Sequence, residues 1–134
     1  MRNFIFLFLA LSFLISCEKG SGEGGTSSIE GNITYFTKWY DAPSMQWDTS
    51  FYPKPEKDVY IIYSDNQNDL YDDNVETDWN GNFRFNYLRK GTYIIYTYTD
   101  STSNNIDYDY PIFRTIEIDN NNQTYLVDHF IIED

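Results

Sequence analysis

The sequence predicts an all-β protein built as a β-sandwich, and three observations support that fold class. Beyond residue 16 the chain holds three Leu and one Ala, but fifteen Ile plus Val and 22 aromatic residues. β-Branched and aromatic side chains fit a half-buried pleated sheet, whereas Leu and Ala are common in helices. Short apolar runs recur along the chain, separated by clusters of Gly, Asn, Asp and Pro. Such spacing is typical of an antiparallel sandwich.

Seven segments have the short, alternating apolar pattern of a strand. These segments are Ile29 to Phe36, Asp58 to Tyr63, Asn74 to Asp78, Phe83 to Tyr87, Gly91 to Thr99, Ile112 to Ile118 and Tyr125 to Ile132. The doublets Ile61-Ile62, Ile94-Ile95 and Ile131-Ile132 predict central strands or strands whose outer faces are covered. Asn80-Gly81 predicts a type I′ hairpin, because both residues tolerate a positive φ. The two longer connections, 38–57 and 100–111, are predicted to be loops, and long loops are often functional.

The first 16 residues have the layout of an export signal. A short positive start, Met1-Arg2-Asn3, precedes an almost continuous run of Phe, Leu and Ile from Phe4 to Ile15. That run is too short for a stable membrane span. We expect residues 1–16 to be removed, which leaves 118 residues, a length that suits one domain.

Leu14-Ile15-Ser16-Cys17 resembles the lipobox of bacterial lipoproteins, and Cys17 is the only cysteine of the chain. The resemblance implies lipidation of Cys17 and a protein anchored in the bacterial cell envelope, where we expect it at the outer membrane. Two acyl chains suffice for stable attachment without a membrane-spanning segment. Residues 17–27, rich in Gly and Ser, are predicted to form a flexible tether, and residues 28–134 the sandwich domain. The Asn-rich, aromatic composition suggests an origin in the Bacteroidetes.

The charge of the chain excludes one class of partner. Nine Lys plus Arg stand against 21 Asp plus Glu, and the net charge of −12 falls to −13 when Arg2 is removed with the signal. Nucleic acids and anionic membrane surfaces would repel such a protein. We therefore expect no nucleic-acid partner, and membrane contact only through the lipid on Cys17.

The segment from Glu76 to Ile95 resembles a sequence pattern of transthyretin-like (prealbumin-like) sandwiches, including carboxypeptidase regulatory-like domains. The residues that match the pattern are Thr77-Asp78, Gly81, Phe83, Phe85, Leu88, Gly91 and Tyr93. Ile29-Glu30-Gly31-Asn32-Ile33 resembles the first strand of that family. The resemblance implies a seven-stranded antiparallel sandwich that serves as an accessory module. These residues have structural roles in turns and core, and none of them is reactive.

No catalytic motif is present in the sequence. His129 is the only histidine, and no nucleophile elbow, phosphate-binding loop or zinc-protease motif occurs. We expect His129 to be a structural residue of a strand. The protein is predicted not to be an enzyme and to need no cofactor.

A weak calcium candidate lies between the second and third predicted strands. Its hard oxygen ligands would be Asp65, Asp69, Asp72 and Asp73. Leu70, however, occupies the place where an EF-hand loop needs Gly, and no flanking helices are predicted. A solvated polar loop is the simpler interpretation.

The predicted loop 38–57 is the strongest candidate binding site. It concentrates Trp39, Tyr40, Trp47, Phe51 and Tyr52 among polar residues, and Trp79 lies at the tip of the predicted hairpin. Trp and Tyr anchor protein interfaces and also stack on sugar rings. Three interpretations remain open: a cap over one end of the sandwich, a protein interface, or a glycan site. The leading hypothesis is an accessory subunit that binds another envelope protein, and the alternative is a surface lipoprotein that binds glycans through Trp39, Tyr40 and Trp47.

Overall fold

The computed structural model describes residues 19–103 and 106–133, and within them the chain forms nine strands. They are β1 Glu23–Asp41, β2 Gln46–Pro53, β3 Asp58–Ile62, β4 Asp73–Glu76, β5 Asn82–Leu88, β6 Gly91–Ser103, β7 Ile106–Ile118, β8 Thr124–Leu126 and β9 Phe130–Glu133. Neither described range contains a helix. The predicted all-β fold class is confirmed. None of the described segments could cross a membrane as a long apolar helix.

The first sheet is organised around β1. Its strands β2 and β5 pair antiparallel with β1, while β8 and β9 pair parallel with it. The Ile33 N–H donates to the Gly81 carbonyl at 2.8 Å, and the Ile33 carbonyl accepts from the Lys54 N–H at 3.0 Å. The N–H and the carbonyl of one strand residue point to the same edge of the strand. Strands β5 and β2 therefore follow one another along one edge of β1, whereas β8 and β9 lie along its other edge.

The second sheet has the order β4-β3-β6-β7, and all its pairs are antiparallel. The two sheets enclose one core, as the sandwich prediction requires. Two details differ from the sequence prediction. The first sheet is mixed rather than purely antiparallel, and the predicted strand from Tyr125 to Ile132 is divided into β8 and β9. The register with β1 shifts by one residue between the pair Ser28↔Thr124 and the pair Ile33↔Phe130. Residues 127–129, which connect β8 and β9, therefore contain one more residue than the facing part of β1.

The core consists of apolar side chains from both sheets, all at most 4% exposed: Ile29, Ile33, Val59, Ile61, Phe83, Phe85, Leu88, Tyr93, Ile95, Ile118, Phe130 and Ile132. Gly31 lies between Ile29 and Ile33 on the inward side of β1. A Cβ at Gly31 would overlap the Phe83 ring and lie 2.6 Å from the Val127 Cγ1 atom. The opening Ile-x-Gly-x-Ile pattern therefore has a packing reason, because only glycine leaves room for Phe83.

The domain begins before the predicted boundary at Ser28. Ser21 Oγ donates to the Thr92 carbonyl at 2.8 Å, and the Gly22 N–H donates to the Tyr93 hydroxyl at 2.8 Å. Ser27 is buried. At Gly25 any Cβ would overlap the Leu88 carbonyl. Part of the predicted tether 17–27 is therefore packed against the sandwich, and its glycines allow the backbone to approach neighbouring strands closely. Cys17 and the predicted signal peptide lie outside the described residues.

The turn between β4 and β5 differs in type from the prediction. Only Gly81 has a positive φ, of 75°, and its N–H donates to the Asp78 carbonyl at 2.9 Å. The Asp78 carboxylate also accepts from the Asn80 and Asn82 N–H groups at 2.8 and 2.9 Å. This arrangement is a type I turn followed by a left-handed glycine, in which the aspartate caps the turn.

Candidate binding surface

The predicted aromatic loop is a projecting β-hairpin. Thr34–Asp41 of β1 pairs with β2 residue by residue, from Thr34↔Pro53 to Asp41↔Gln46. We call these two paired segments, with the connecting residues 42–45, the aromatic ribbon. On its other edge β1 pairs with β9 only as far as Phe36↔Glu133. The outer five residue pairs therefore extend past the sheet, and the prediction of a loop over 38–57 was wrong for most of that range.

A second ribbon leaves the same end of the sandwich. β6 and β7 remain paired from Gly91↔Ile118 to Ser103↔Ile106, although β3 accompanies β6 only as far as Tyr60↔Tyr96. The Glu133 N–H donates to Thr99 Oγ1 at 2.8 Å. The end of β9 thus lies between the bases of both ribbons. The predicted loop over 100–111 consists largely of strand, and it carries further exposed apolar residues at Ile106, Tyr108 and Tyr110.

Strand alternation distributes the rings of the aromatic ribbon over both of its faces. On one face Tyr40 meets Trp47 edge-on at 5.5 Å between ring centroids, and Phe36 meets Phe51 at 6.2 Å. On the opposite face Tyr35 and Tyr52 lie 5.6 Å apart. Trp39 shares that second face, and its Nε1–H donates to Ser50 Oγ at 3.3 Å. Each cross-strand aromatic pair stabilises the ribbon locally, which gives a projecting hairpin a defined shape.

All the predicted contact residues of the ribbon are exposed. The exposed fraction is 46% for Trp39, 51% for Tyr40, 72% for Trp47, 58% for Phe51 and 48% for Tyr52. These values do not fit a cap that covers the end of the sandwich. Met45, in the turn at the tip, is 79% exposed and has a φ of 54°, which is uncommon for a residue with a side chain.

Trp79 does not lie on the ribbon itself. It is 81% exposed in the turn between β4 and β5. That turn is next to the ribbon base, because Gly81 bonds to Ile33 and Asn32 Nδ2 donates to the Asn80 carbonyl at 2.9 Å. The structure therefore brings five of the six predicted aromatic residues onto one hairpin and places the sixth beside its base.

The ribbon tip and the amino-terminal end of the domain are at opposite ends of β1. Glu23 pairs with Leu88 at one end of the strand, and Asp41 pairs with Gln46 at the other. At about 3.3 Å per residue, a straight strand of 19 residues would span roughly 60 Å. The exposed rings of the ribbon therefore lie toward the opposite end of β1 from the point at which the chain enters the domain.

A groove that the sequence does not reveal runs beside β1, with a volume of ≈ 950 Å³. Its lining includes Glu30, Arg84 and His129, and the Arg84 guanidinium pairs with the Glu30 carboxylate. His129 lies between β8 and β9 rather than in a strand, and its Nε2 is 2.7 Å from Thr34 Oγ1. This single hydrogen bond to a hydroxyl fits the structural role that the sequence predicts for His129. The absence of enzymatic activity stays a prediction.

Three calcium candidates, Asp65, Asp69 and Asp72, are exposed residues of the connection between β3 and β4, and Asp73 is a partly buried residue at the start of β4. Asp69 accepts from Ser64 Oγ at 2.6 Å and from Asn66 Nδ2 at 2.8 Å, and the Asp72 carboxylate accepts from the Tyr63 N–H at 2.7 Å. The Asp73 carboxylate accepts from the Asn74 N–H at 2.8 Å. Across the described residues, no three carboxylate, histidine or cysteine side chains are grouped as a metal site requires.

Comparison with known proteins finds similarity among solved structures only. No protein-family model and no curated protein matches this chain. Among solved structures, the chain is similar to the crystal structure of a candidate carbohydrate binding protein from Pseudomonas aeruginosa. The sequence identity is 14%, the TM-score is 0.48, and the match covers 85% of this chain and 92% of that chain.

Proposed function

We propose that this protein is a non-catalytic lipoprotein of a bacterial cell envelope that binds another envelope protein through its aromatic ribbon. One observation carries the proposal: a narrow hairpin presents exposed Trp39, Tyr40 and Trp47 beyond the end of the sandwich. Exposed rings gathered on one element are unusual for an isolated domain and typical of an interaction surface.

The position of the ribbon suits a protein anchored at Cys17. A lipid on Cys17 would hold the domain near the bilayer by the end where β1 begins at Glu23. The ribbon tip, which includes Met45 and Trp47, lies at the opposite end of the same strand. Anchored in this way, the domain presents its aromatic residues to molecules beyond the headgroup region.

The exposed rings of the ribbon approach the area that a specific complex needs. A buried aromatic side chain covers about 150–250 Å², so the five ribbon positions, each about half exposed, offer roughly 400–600 Å². A standard interface buries about 800 Å² on each partner. The aromatic rings with Met45 therefore supply most of what one partner must contribute.

The geometry favours a protein over a sugar as the principal ligand. A sugar ring stacks on a single flat face, whereas Tyr40 and Trp39 lie on opposite faces of the ribbon. Within the described part of the chain, β2 pairs with β1 alone, which leaves its outer backbone edge open. An open edge flanked by aromatic side chains is suited to a partner that adds a strand and encloses both faces.

Photo-crosslinking at the ribbon tests this assignment. A photoreactive phenylalanine derivative replaces Trp47, and in a matched control it replaces Tyr87, which is 74% exposed on β5 near the amino-terminal end. After irradiation of intact cells, we expect position 47 to give an adduct of discrete mass with one envelope protein and position 87 to give none. An adduct of equal yield at both positions, or none at position 47, would contradict the proposal.

Glycan capture is the second candidate function, and the exposure of Trp47 beside Tyr40 favours it. One indole face with a neighbouring phenol can stack on a sugar ring. Glycan-array binding by the wild-type protein that disappears in Trp47→Ala would support this candidate, and an array without signal would remove it.

The anchor is tested independently of the ribbon. The lipobox resemblance predicts that the mature chain begins at Cys17 with a diacylglyceryl thioether. Mass spectrometry of the amino-terminal peptide from a membrane fraction should show this modification. A peptide with a free thiol, or a chain that still carries residues 1–16, would show that the protein is not a lipoprotein.

A further inference from the structure

The outer face of the four-stranded sheet carries a cluster of aromatic rings that the ribbon does not include. Tyr60 stacks on Tyr96 with 5.0 Å between centroids, and it also meets Tyr71 at 4.9 Å and Tyr98 at 6.0 Å. Phe113 lies 5.2 Å from Tyr96. We call these five residues the tyrosine face. Their side chains come from three adjacent strands and from the connection before β4.

The tyrosine face adjoins buried residues of the same side of the sheet and is open to solvent at its edges. Ile62 and Ile94, which alternate onto the same side as Tyr60 and Tyr96, are 1% exposed, whereas Tyr98 is 38% and Tyr71 is 51% exposed. Burial, followed by the charge of Asp58, raises the pKa of Tyr60 above its usual value of 10. Tyr60 therefore remains a neutral phenol under ordinary conditions, with the electron-rich face of its ring intact.

Carboxylates border these rings in an unfavourable arrangement. Strand register places Asp58 directly opposite Glu76, and Asp100 directly opposite Asp109. Like charges on facing residues destabilise a sheet. Asp58 is two residues from Tyr60, and Asp100 is two residues from Tyr98, so both pairs lie on the side of the sheet that carries the rings.

The four strands of this sheet carry few cations. Arg114 is the only Lys or Arg in the sequences of β3, β4, β6 and β7. Its guanidinium lies 5.0 Å from the centroid of the core residue Phe130, so it points to the inner side of the sheet. Within these four strands the tyrosine face thus has anionic neighbours and no cationic one.

We propose that the tyrosine face binds a positively charged, arginine-rich segment of a partner protein. A guanidinium over a Tyr ring is attracted by the π electrons, and the facing carboxylate pairs provide complementary charge. A bound cation would also relieve the repulsion between Asp58 and Glu76. This surface is separate from the aromatic ribbon, and the inference does not depend on the proposed function.

A hexa-arginine peptide is the probe, and calorimetric titration of the mature chain measures its affinity. The double variant Tyr71→Ala/Tyr98→Ala should bind about tenfold more weakly, because two exposed cation–π contacts are lost. Tyr71→Phe/Tyr98→Phe keeps both rings and should bind like the wild type. Both residues are at least 38% exposed, so the fold should tolerate these changes.

Charge variants provide the second readout. Asp58→Asn/Glu76→Gln should weaken binding, reduce its dependence on salt, and raise the melting temperature because a repulsive pair is removed. Asp119→Asn/Asp128→Asn, which removes two exposed charges elsewhere, and Trp39→Ala/Trp47→Ala on the ribbon are the controls and should leave the affinity unchanged. Absence of binding by the wild type, or binding that Tyr71→Ala/Tyr98→Ala does not weaken, would overturn the inference.

Discussion

Replacement of Phe130 by Ala is expected to lower the free energy of unfolding by about 3–5 kcal/mol. Phe130 is fully buried between the two sheets, and its ring lies 6.0 Å from that of Phe83. The Arg114 guanidinium also stacks on it. Truncation removes the ring from the core, leaves a cavity, and takes away the aromatic partner of a half-buried cation.

The adjacent residue provides the control for this prediction. Ile131 belongs to the same strand but is 50% exposed, so Ile131→Ala should cost less than about 1 kcal/mol. Urea unfolding followed by tryptophan fluorescence and far-ultraviolet circular dichroism measures both variants. If Phe130→Ala unfolded at the same urea concentration as Ile131→Ala, β9 would not be an integral part of the sandwich.

The sandwich could be predicted because its core follows simple alternation. Phe83 and Phe85 share the inner side of β5, and the doublets Ile61-Ile62 and Ile94-Ile95 are buried on both sides of their sheet, as predicted. The same prediction was wrong for Ile131-Ile132, because only Ile132 faces the core and Ile131 is 50% exposed on the uncovered side of β9. The parallel pairing of β8 and β9 could not be predicted, because alternation fixes which side chains face inward but not the direction of a neighbouring strand. The closer resemblance to the transthyretin-like family stays a prediction.

The ribbons were missed because their composition resembles that of loops. Pro43 and Pro53 bound the segment that contains β2, and polar residues alternate with the aromatic ones. The same alternation is also what an exposed two-stranded hairpin requires, since both of its faces contact water. The aromatic residues and their exposure could therefore be anticipated, but their arrangement on a hairpin could not.

The tyrosine face is a feature of register and not of any single segment. Tyr60 comes from β3, whereas Tyr96 and Tyr98 come from β6, more than 30 residues later. Only the pairing Tyr60↔Tyr96 brings them into contact. The one signal in the sequence is the recurrence of Tyr beside the Ile doublets, which is equally compatible with an ordinary strand.

Loss of the partner on removal of the ribbon rings is the second large effect expected. The chain purified from detergent-solubilised membranes of the source cells should bring one envelope protein with it in near-stoichiometric amount. Trp39→Ala/Tyr40→Ala/Trp47→Ala should reduce that recovery at least tenfold, because it removes three anchors from one interface, each worth about 1 kcal/mol or more. The three side chains are exposed, so the core and the melting temperature should change little.

Quantitative mass spectrometry of these purifications tests directly whether the ribbon is the docking surface. The control is a variant in which the exposed residues Tyr87 and Leu126 are replaced by Ala. We predict that the partner is lost from the ribbon variant and retained by the control. Equal recovery of the partner by the wild type, the ribbon variant and the control would contradict this account.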